Sequence, residues 1–181
     1  MSKLAELLSR YPVQQVAGFQ LLWLSCVLGG NRWLWLPLLL IASHLYLHRK
    51  QWRQELAIAP LALVGLAVDG GLTAAGIYQF DHTPVWLLAL WLGFVYTLDA
   101  SMVWLRKLPL AALAAFGVVG GTSSYLAGER LGAVVIATPL LHSVVIIALC
   151  WAVLLPLLVR LDLALRRTYI NSMNNQQAPT A

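Results

Sequence analysis

Polar side chains inside long apolar stretches are the residues of this sequence that could carry chemistry. Asp69 is the clearest case, because it is the only charged residue between Glu55 and Asp81. A carboxylate at that depth in a lipid bilayer is costly unless it is paired, protonated or hydrated. Two interpretations stay open. Asp69 is either a functional residue that faces the interior of a helix bundle or a structural aspartate that holds a helix crossing.

A polar layer is predicted at the same depth as Asp69, on the outer side of the membrane. Tyr125, Glu129 and Arg130 lie near the end of another apolar stretch, and His142 falls at a similar level. These five residues are the candidate functional site, and no catalytic residue is assigned among them. An outward-facing cavity would place polar groups at one depth, but ordinary helix ends would do so as well.

A second layer, formed by Gln20, His44 and Asp99, is predicted on the inner side. Tyr96 and Arg106 are expected on the same helix face as Asp99, where a hydrogen bond and a long basic side chain could satisfy the carboxylate. Gln20, His44 and Asp99 are secondary candidates for the site.

Metal and cofactor chemistry is not predicted. His44 and His48 are four residues apart, as in one element of a histidine-rich metal site, but the chain has only four histidines, and His82 and His142 are expected on the opposite side of the membrane. The sequence also lacks a phosphate loop, a nucleophile elbow and a paired-cysteine zinc pattern. It therefore favours a role without catalysis, without a cofactor and without a metal.

The composition shows which elements must position these residues. Hydrophobic residues make up 60% of the chain and charged residues 10%, whereas a soluble domain has about 25% charged residues. The apolar stretches are continuous rather than alternating, which favours transmembrane helices over a barrel. We therefore predict an all-α polytopic membrane protein with one transmembrane domain over residues 1–170 and a disordered cytoplasmic tail over 171–181. The six predicted spans cover residues 12–30, 33–48, 56–78, 84–105, 108–127 and 139–161.

Basic residues predict the orientation of this six-helix bundle. With both termini in the cytoplasm, ten of the twelve basic residues fall on the inner side and only Arg32 and Arg130 on the outer side, as the positive-inside rule requires. Arg49, Lys50 and Arg53 are predicted to contact lipid head groups or a partner protein at the inner leaflet. Nucleic acid is not a predicted partner, because the basic residues are divided among short loops.

Several short motifs resemble a bacterial family of small inner-membrane proteins that is classed as a domain of unknown function. The resemblance covers nearly the whole chain and rests on the order and spacing of the motifs, which lie at residues 17–23, 65–69, 84–91, 124–132 and 151–156. Members of that family are often encoded beside cyclopropane-fatty-acid-type lipid methyltransferases. The resemblance thus implies a multi-pass inner-membrane location and an accessory role in membrane-lipid modification.

Three functions are compatible with these observations. The first is a non-catalytic accessory or scaffold for the modification of membrane lipids or fatty-acyl chains, with membrane lipids, a lipid-modifying enzyme and a second copy of the chain as partners. The second is a small transporter or lipid flippase that uses the outer polar layer around Asp69. The third is an intramembrane enzyme that acts on acyl chains.

Overall fold

The fold is all-α, as predicted. The computed structural model describes residues 12–80 and 84–177; Asp81 and His82 lie outside this part of the chain. We number the helices α1 to α7 and the two short strands β1 and β2. Their bounds are α1 Pro12–Gly29, α2 Trp35–Leu47, α3 Trp52–Ile58, α4 Leu61–Ala74, β1 Tyr78–Gln79, α5 Val85–Thr97, α6 Leu110–Arg130, β2 Val135–Ile136 and α7 Leu140–Gln177.

The helix expected over 56–78 differs from the observed one at both ends. It is interrupted between α3 and α4 at Ala59 and Pro60, because proline has no amide hydrogen to continue the helical hydrogen bonds. It ends at Ala74, and Gly76 then adopts a positive φ of 73°, which glycine accommodates without steric cost. The chain reverses at this point and enters β1.

The helix expected over 84–105 ends early, at Thr97. The Thr97 hydroxyl donates a hydrogen bond of 2.6 Å to the carbonyl oxygen of Phe94, and such local bonds compete with regular secondary structure. A turn follows, and Val103–Lys107 forms a 3-10 helix. Asp99 therefore lies in a connection at the end of the bundle rather than inside a helix.

The last helix is much longer than the predicted span 139–161, because it continues to Gln177. Extending an existing helix is far easier than starting one. The backbone of residues 171–177 is thus helical where a disordered tail was expected, and residues 178–181 lie outside the described residues. The extension also brings Asp162 and Arg166 onto the same helix as the apolar span.

Three helical stretches are long and apolar enough to cross a membrane: Arg49–Ala74, which contains α3, the break at Pro60 and α4, then Leu110–Arg130 and Leu140–Tyr169. The helices Trp35–Leu47 and Val85–Thr97 are also apolar, but each has only 13 residues. At 1.5 Å per residue, such a helix is shorter than the bilayer core of about 30 Å. The six predicted spans and their orientation therefore stay predictions.

Helix α5 lies at the centre of the bundle and contacts α1, α2, α3 and α4, while α7 packs along α6 and also contacts α3 and α4. The two strands pair antiparallel, with Tyr78 opposite Ile136, at the end that we call the hairpin end. The opposite end carries Arg49–Arg53, Arg106, Lys107 and Arg166, and we call it the basic end.

Glycine allows α6 and α7 to approach closely at Gly117 and Gly121. A β-carbon at Gly117 would overlap the main-chain carbonyl of Trp151, and one at Gly121 would overlap the indole ring of Trp151. Gly120, by contrast, faces open space. The position of Trp151 thus depends on two small residues on one face of α6.

Candidate functional site

Asp69 is fully buried and accepts hydrogen bonds from three different elements. The Tyr78 hydroxyl of β1 donates to Oδ1 at 2.7 Å, and the Trp91 indole of α5 donates to Oδ2 at 2.7 Å. The Tyr125 hydroxyl of α6 donates a further short bond to Oδ1. We call these four residues the Asp69 cluster. The cluster ties α4, α5, α6 and the strand pair together near the hairpin end.

Aromatic rings surround the Asp69 cluster. The Trp91 indole stacks on Trp151 with ring centroids 5.5 Å apart, and it lies where a β-carbon on Gly65 would be. The Tyr78 and Tyr125 rings lie 5.0 Å apart. The Trp91 side chain therefore depends on a glycine beneath it and a second tryptophan above it, which fixes the direction of its N–H toward Asp69.

The structure brings together only part of the predicted outer layer. Tyr125 contacts Asp69, as described. Glu129 instead accepts a hydrogen bond of 3.2 Å from the backbone amide of Ile136, so it braces β2. Arg130 and His142 are both exposed and take no part in the Asp69 cluster. The five candidate residues predicted from the sequence included neither Tyr78 nor Trp91, which lie 9 and 22 residues after Asp69.

A second buried cluster lies at the basic end, and most of its contacts were not predicted from the sequence. It combines three carboxylates, two guanidinium groups and one imidazole, which we call the ion cluster: Glu55, Asp99, Asp162, Arg106, Arg166 and His44.

Arg166 is the centre of the ion cluster. Its Nε lies 2.9 Å from Asp162 Oδ1, and its Nη1 lies 3.3 Å from Glu55 Oε1 and 3.2 Å from Asp99 Oδ2. Arg106 pairs with both Asp99 and Asp162. Glu55 and Asp162 are 2% and 0% exposed, so removing a partner would leave a buried charge unpaired.

The ion cluster joins parts of the chain that are far apart in sequence. Glu55 comes from α3, Asp162 and Arg166 from α7, and Asp99 and Arg106 from the connection between α5 and α6. The spacing of Asp162 and Arg166, four residues apart, is a sequence signal for a pair on a single helix face. Arg166 was predicted only to lie on the inner side of the membrane.

The predicted inner layer has three different outcomes. Asp99 is paired with Arg106, as expected, but Tyr96 stacks on His44 at 4.9 Å instead of bonding to Asp99. His44 Nε2 lies 3.5 Å from Glu55 Oε2, which is close enough for an ion pair, yet both atoms are buried without a hydrogen bond within the described residues. Gln20 is exposed and belongs to neither cluster.

The basic segment, residues 49–53, lies on the surface. Arg49, Lys50 and Arg53 are exposed, and none of them forms an ion pair within residues 12–80 and 84–177. The Arg49 guanidinium lies 4.7 Å from the centre of the Tyr46 ring, and that of Arg53 lies 5.4 Å from Trp52. Both rings are themselves largely exposed.

Across the described part of the chain, no group of three or more histidine, cysteine, aspartate or glutamate side chains is arranged to hold a metal ion. The Asp69 cluster presents hydrogen-bond donors to a single acceptor, and the ion cluster pairs its carboxylates with arginines. Both arrangements join helices, and neither shows a nucleophile next to a general base.

The fold and these two clusters define a helical protein of membrane type that holds a hydrogen-bonded aspartate and a group of ion pairs inside its bundle. The chain belongs to a family described as a protein of unknown function, DUF2878, whose model matches residues 12–157. The match includes Asp69 and its three donors but ends before Asp162 and Arg166. No curated protein and no solved structure matches the chain.

Proposed function

We propose that this chain is a non-catalytic, multi-pass protein of the bacterial inner membrane that assists the modification of membrane lipids. In this proposal the basic segment faces the cytoplasm, where it contacts anionic lipid head groups and a lipid-modifying enzyme. The observation that carries the proposal is the exposure of Arg49, Lys50 and Arg53 without acidic partners in the described part of the chain.

The surroundings of the basic segment support a role at a membrane surface. Tyr46 and Trp52 lie under the two guanidinium groups, and aromatic rings of this kind are enriched where a membrane meets water. Each basic residue near an anionic surface contributes about 1 kcal/mol of attraction. Three such residues on one short segment are enough to favour anionic over neutral lipids.

The Asp69 cluster gives little support to transport or catalysis. All three donors point at the carboxylate and come from packed elements, which is how a structural aspartate is held. The cavity beside Tyr125 has a volume of about 70 Å³ and is lined mainly by aromatic and aliphatic side chains. His142, the histidine of the predicted outer layer, is exposed and separate from this cluster.

Head-group selection can be tested in nanodiscs that contain equal amounts of phosphatidylethanolamine and phosphatidylglycerol. The lipids that remain bound to the protein are counted by native mass spectrometry. We expect enrichment of phosphatidylglycerol around the wild-type chain and a loss of that enrichment in the double variant Arg49→Gln, Arg53→Gln. The matched control is Arg32→Gln, Arg130→Gln, which removes two exposed arginines at the hairpin end. Equal enrichment in all three proteins would contradict the proposed contact.

The accessory role is tested by comparing the lipids of a deletion strain with those of its parent. A change in the proportion of modified acyl chains is expected, and it should be restored by the wild-type chain but not by the Arg49→Gln, Arg53→Gln variant. An unchanged lipid profile would argue against any role in lipid modification.

A further inference from the structure

A cavity of about 370 Å³ lies between α1, α2 and α5 toward the basic end. Its volume falls within the range of about 300–1,000 Å³ that is usual for small-molecule sites. Neither the Asp69 cluster nor the basic segment accounts for it. It borders the ion cluster only through His44.

The lining of this cavity changes from apolar to polar along its length. Phe19, Leu22, Leu40 and Ile41 form an apolar part between the helices. Ser43, His48 and Gln51 are polar lining residues toward the basic end, where Leu47 and Ala100 also line the cavity. Such a division matches a molecule with a hydrocarbon chain and a polar end.

The apolar end of the cavity is closed by tight packing. Leu22 of α1 packs on Gly93 of α5, so closely that a β-carbon on Gly93 would lie 2.6 Å from a Leu22 methyl group. Gly18, one turn earlier on α1, has no atom within 4 Å of the position of its missing β-carbon. The free space is therefore next to Gly18.

The polar end of the cavity has groups suited to an anion. The Nδ1 atom of His48 lies 2.9 Å from the carbonyl oxygen of His44. The side-chain amide of Gln51 lines this end and can donate a hydrogen bond to an anion. Since a carbonyl only accepts, Nδ1 of His48 carries the hydrogen, and in the neutral imidazole Nε2 then accepts rather than donates. Arg49 and Lys50 follow directly in the chain and are exposed. Glu55 lies behind His44 and disfavours an anion there, so the anionic end belongs beside Gln51.

We infer that this cavity binds one long acyl chain with an anionic end group. The hydrocarbon chain lies beside Gly18 between Phe19, Leu22 and Ile41, and the anionic group lies beside Gln51, next to the exposed side chains of the basic segment. A free fatty acid and a lysophospholipid share this chemistry. The inference deepens the proposed function, on which the placement of the anionic end at a membrane surface rests.

The test uses the full-length chain in detergent with a palmitic acid that carries a photoreactive diazirine near the end of its hydrocarbon chain. After irradiation, peptide mass spectrometry locates the label in the wild-type protein, without need of any variant. We expect labelling of residues that line the cavity on α1, α2 or α5, and competition by unlabelled palmitate. Competition by lysophosphatidylglycerol in a parallel sample distinguishes the two sources of the chain, since the better competitor identifies the end group that the site prefers.

Gly18→Leu fills the free space and should lower the labelling yield roughly tenfold, the equivalent of one order of magnitude in affinity. Gly71→Leu is the matched control, because Gly71 also faces open space on α4 and lies outside the cavity, so its yield should stay at the wild-type level. Label spread over lipid-facing residues of the wild-type chain, or equal yields from both variants, would overturn the inference.

This result is separable from the proposed function. If phosphatidylglycerol enrichment is absent but the label maps to the cavity and responds to Gly18→Leu, the acyl-chain site stands and the head-group contact fails. If phosphatidylglycerol enrichment is present but the label lies elsewhere, the head-group contact stands and the acyl-chain site fails.

Discussion

Three neutral donors on one buried carboxylate explain how Asp69 is accommodated in an apolar bundle. Tyr78, Trp91 and Tyr125 replace the water that the carboxylate would lose on burial, and a buried polar group is costly mainly when it lacks such partners. Because the donors come from three elements, a single residue fixes the relative positions of several parts of the bundle. We therefore interpret Asp69 as a structural residue.

Removal of one hydrogen-bond donor of Asp69 should lower the stability of the protein while the shape of the substituted side chain stays nearly the same. Tyr78→Phe deletes only a hydroxyl group, and we expect the free energy of unfolding to fall by about 1–3 kcal/mol. Tyr96→Phe is the control, since the Tyr96 hydroxyl makes no hydrogen bond within the described residues while its ring is also buried. Unfolding in mixed micelles measures the free energy of unfolding of both variants. Equal losses for the two variants would show that the hydroxyl of Tyr78 contributes nothing specific.

The neighbouring residues Arg166 and Arg167 offer a second comparison at the scale of single side chains. Arg166 is buried among three carboxylates, whereas Arg167 is exposed. Arg166→Gln should cost about 3–5 kcal/mol, because it leaves buried carboxylates unpaired. Arg167→Gln should stay within about 0.5 kcal/mol of the wild type.

The same unfolding assay distinguishes a specific pair from a general charge effect. Glu55→Gln added to Arg166→Gln should restore part of the lost stability, because it removes one of the charges left unpaired. A double variant that is as unstable as the sum of the single variants would contradict the pairing.

Helices α6 and α7 show how much depends on small residues at the scale of secondary-structure elements. The main chain of Trp151 on α7 lies where a side chain at Gly117 would be, while Gly120, three residues later, faces open space. Trp151 in turn stacks on Trp91, which donates to Asp69. The crossing of these two helices and the geometry of the Asp69 cluster are therefore linked.

Substitution by alanine at these two glycines should have opposite effects. Gly117→Ala forces α6 and α7 apart and should cost about 1–3 kcal/mol, as overpacking usually does. Gly120→Ala should be neutral or stabilise the helix by up to about 1 kcal/mol, because alanine is the better helix former. Thermal unfolding in detergent compares the two variants. A tolerated Gly117→Ala would mean that the helices are farther apart than described.

At the scale of the whole molecule, the prediction concerns orientation. In a background without Cys26 and Cys150, Lys50→Cys should resist a membrane-impermeant maleimide in intact cells, whereas Arg130→Cys should react. The reason is that the predicted topology puts ten of the twelve basic residues on the cytoplasmic side, as the positive-inside rule requires. The Lys50→Cys and Arg130→Cys variants should both react once the cells are permeabilised. Labelling of Lys50→Cys from outside would reverse the topology and remove the basis of the proposed function.

Apolar composition and the continuity of the apolar stretches were sufficient to predict an all-α protein of membrane type, because both are local properties of the chain. The breaks at Pro60 and after Thr97 were harder to foresee. Proline is tolerated in some membrane helices, and the end of α5 coincides with a turn that holds Asp99 beside Arg106 and Arg166. Helix lengths near such positions depend on partners that are remote in sequence.

Sequence alone identified Asp69, Tyr125 and the pairing of Asp99 with Arg106, since each stood out as a polar group in an apolar stretch or had a partner nearby. Only the tertiary structure decided that Trp91 and Tyr78 complete the Asp69 cluster and that His142 lies outside it. It also decided that Arg166 joins Glu55 to Asp162. A hydrogen bond or ion pair between distant residues requires two elements to be packed against each other, and that packing is set by the whole chain.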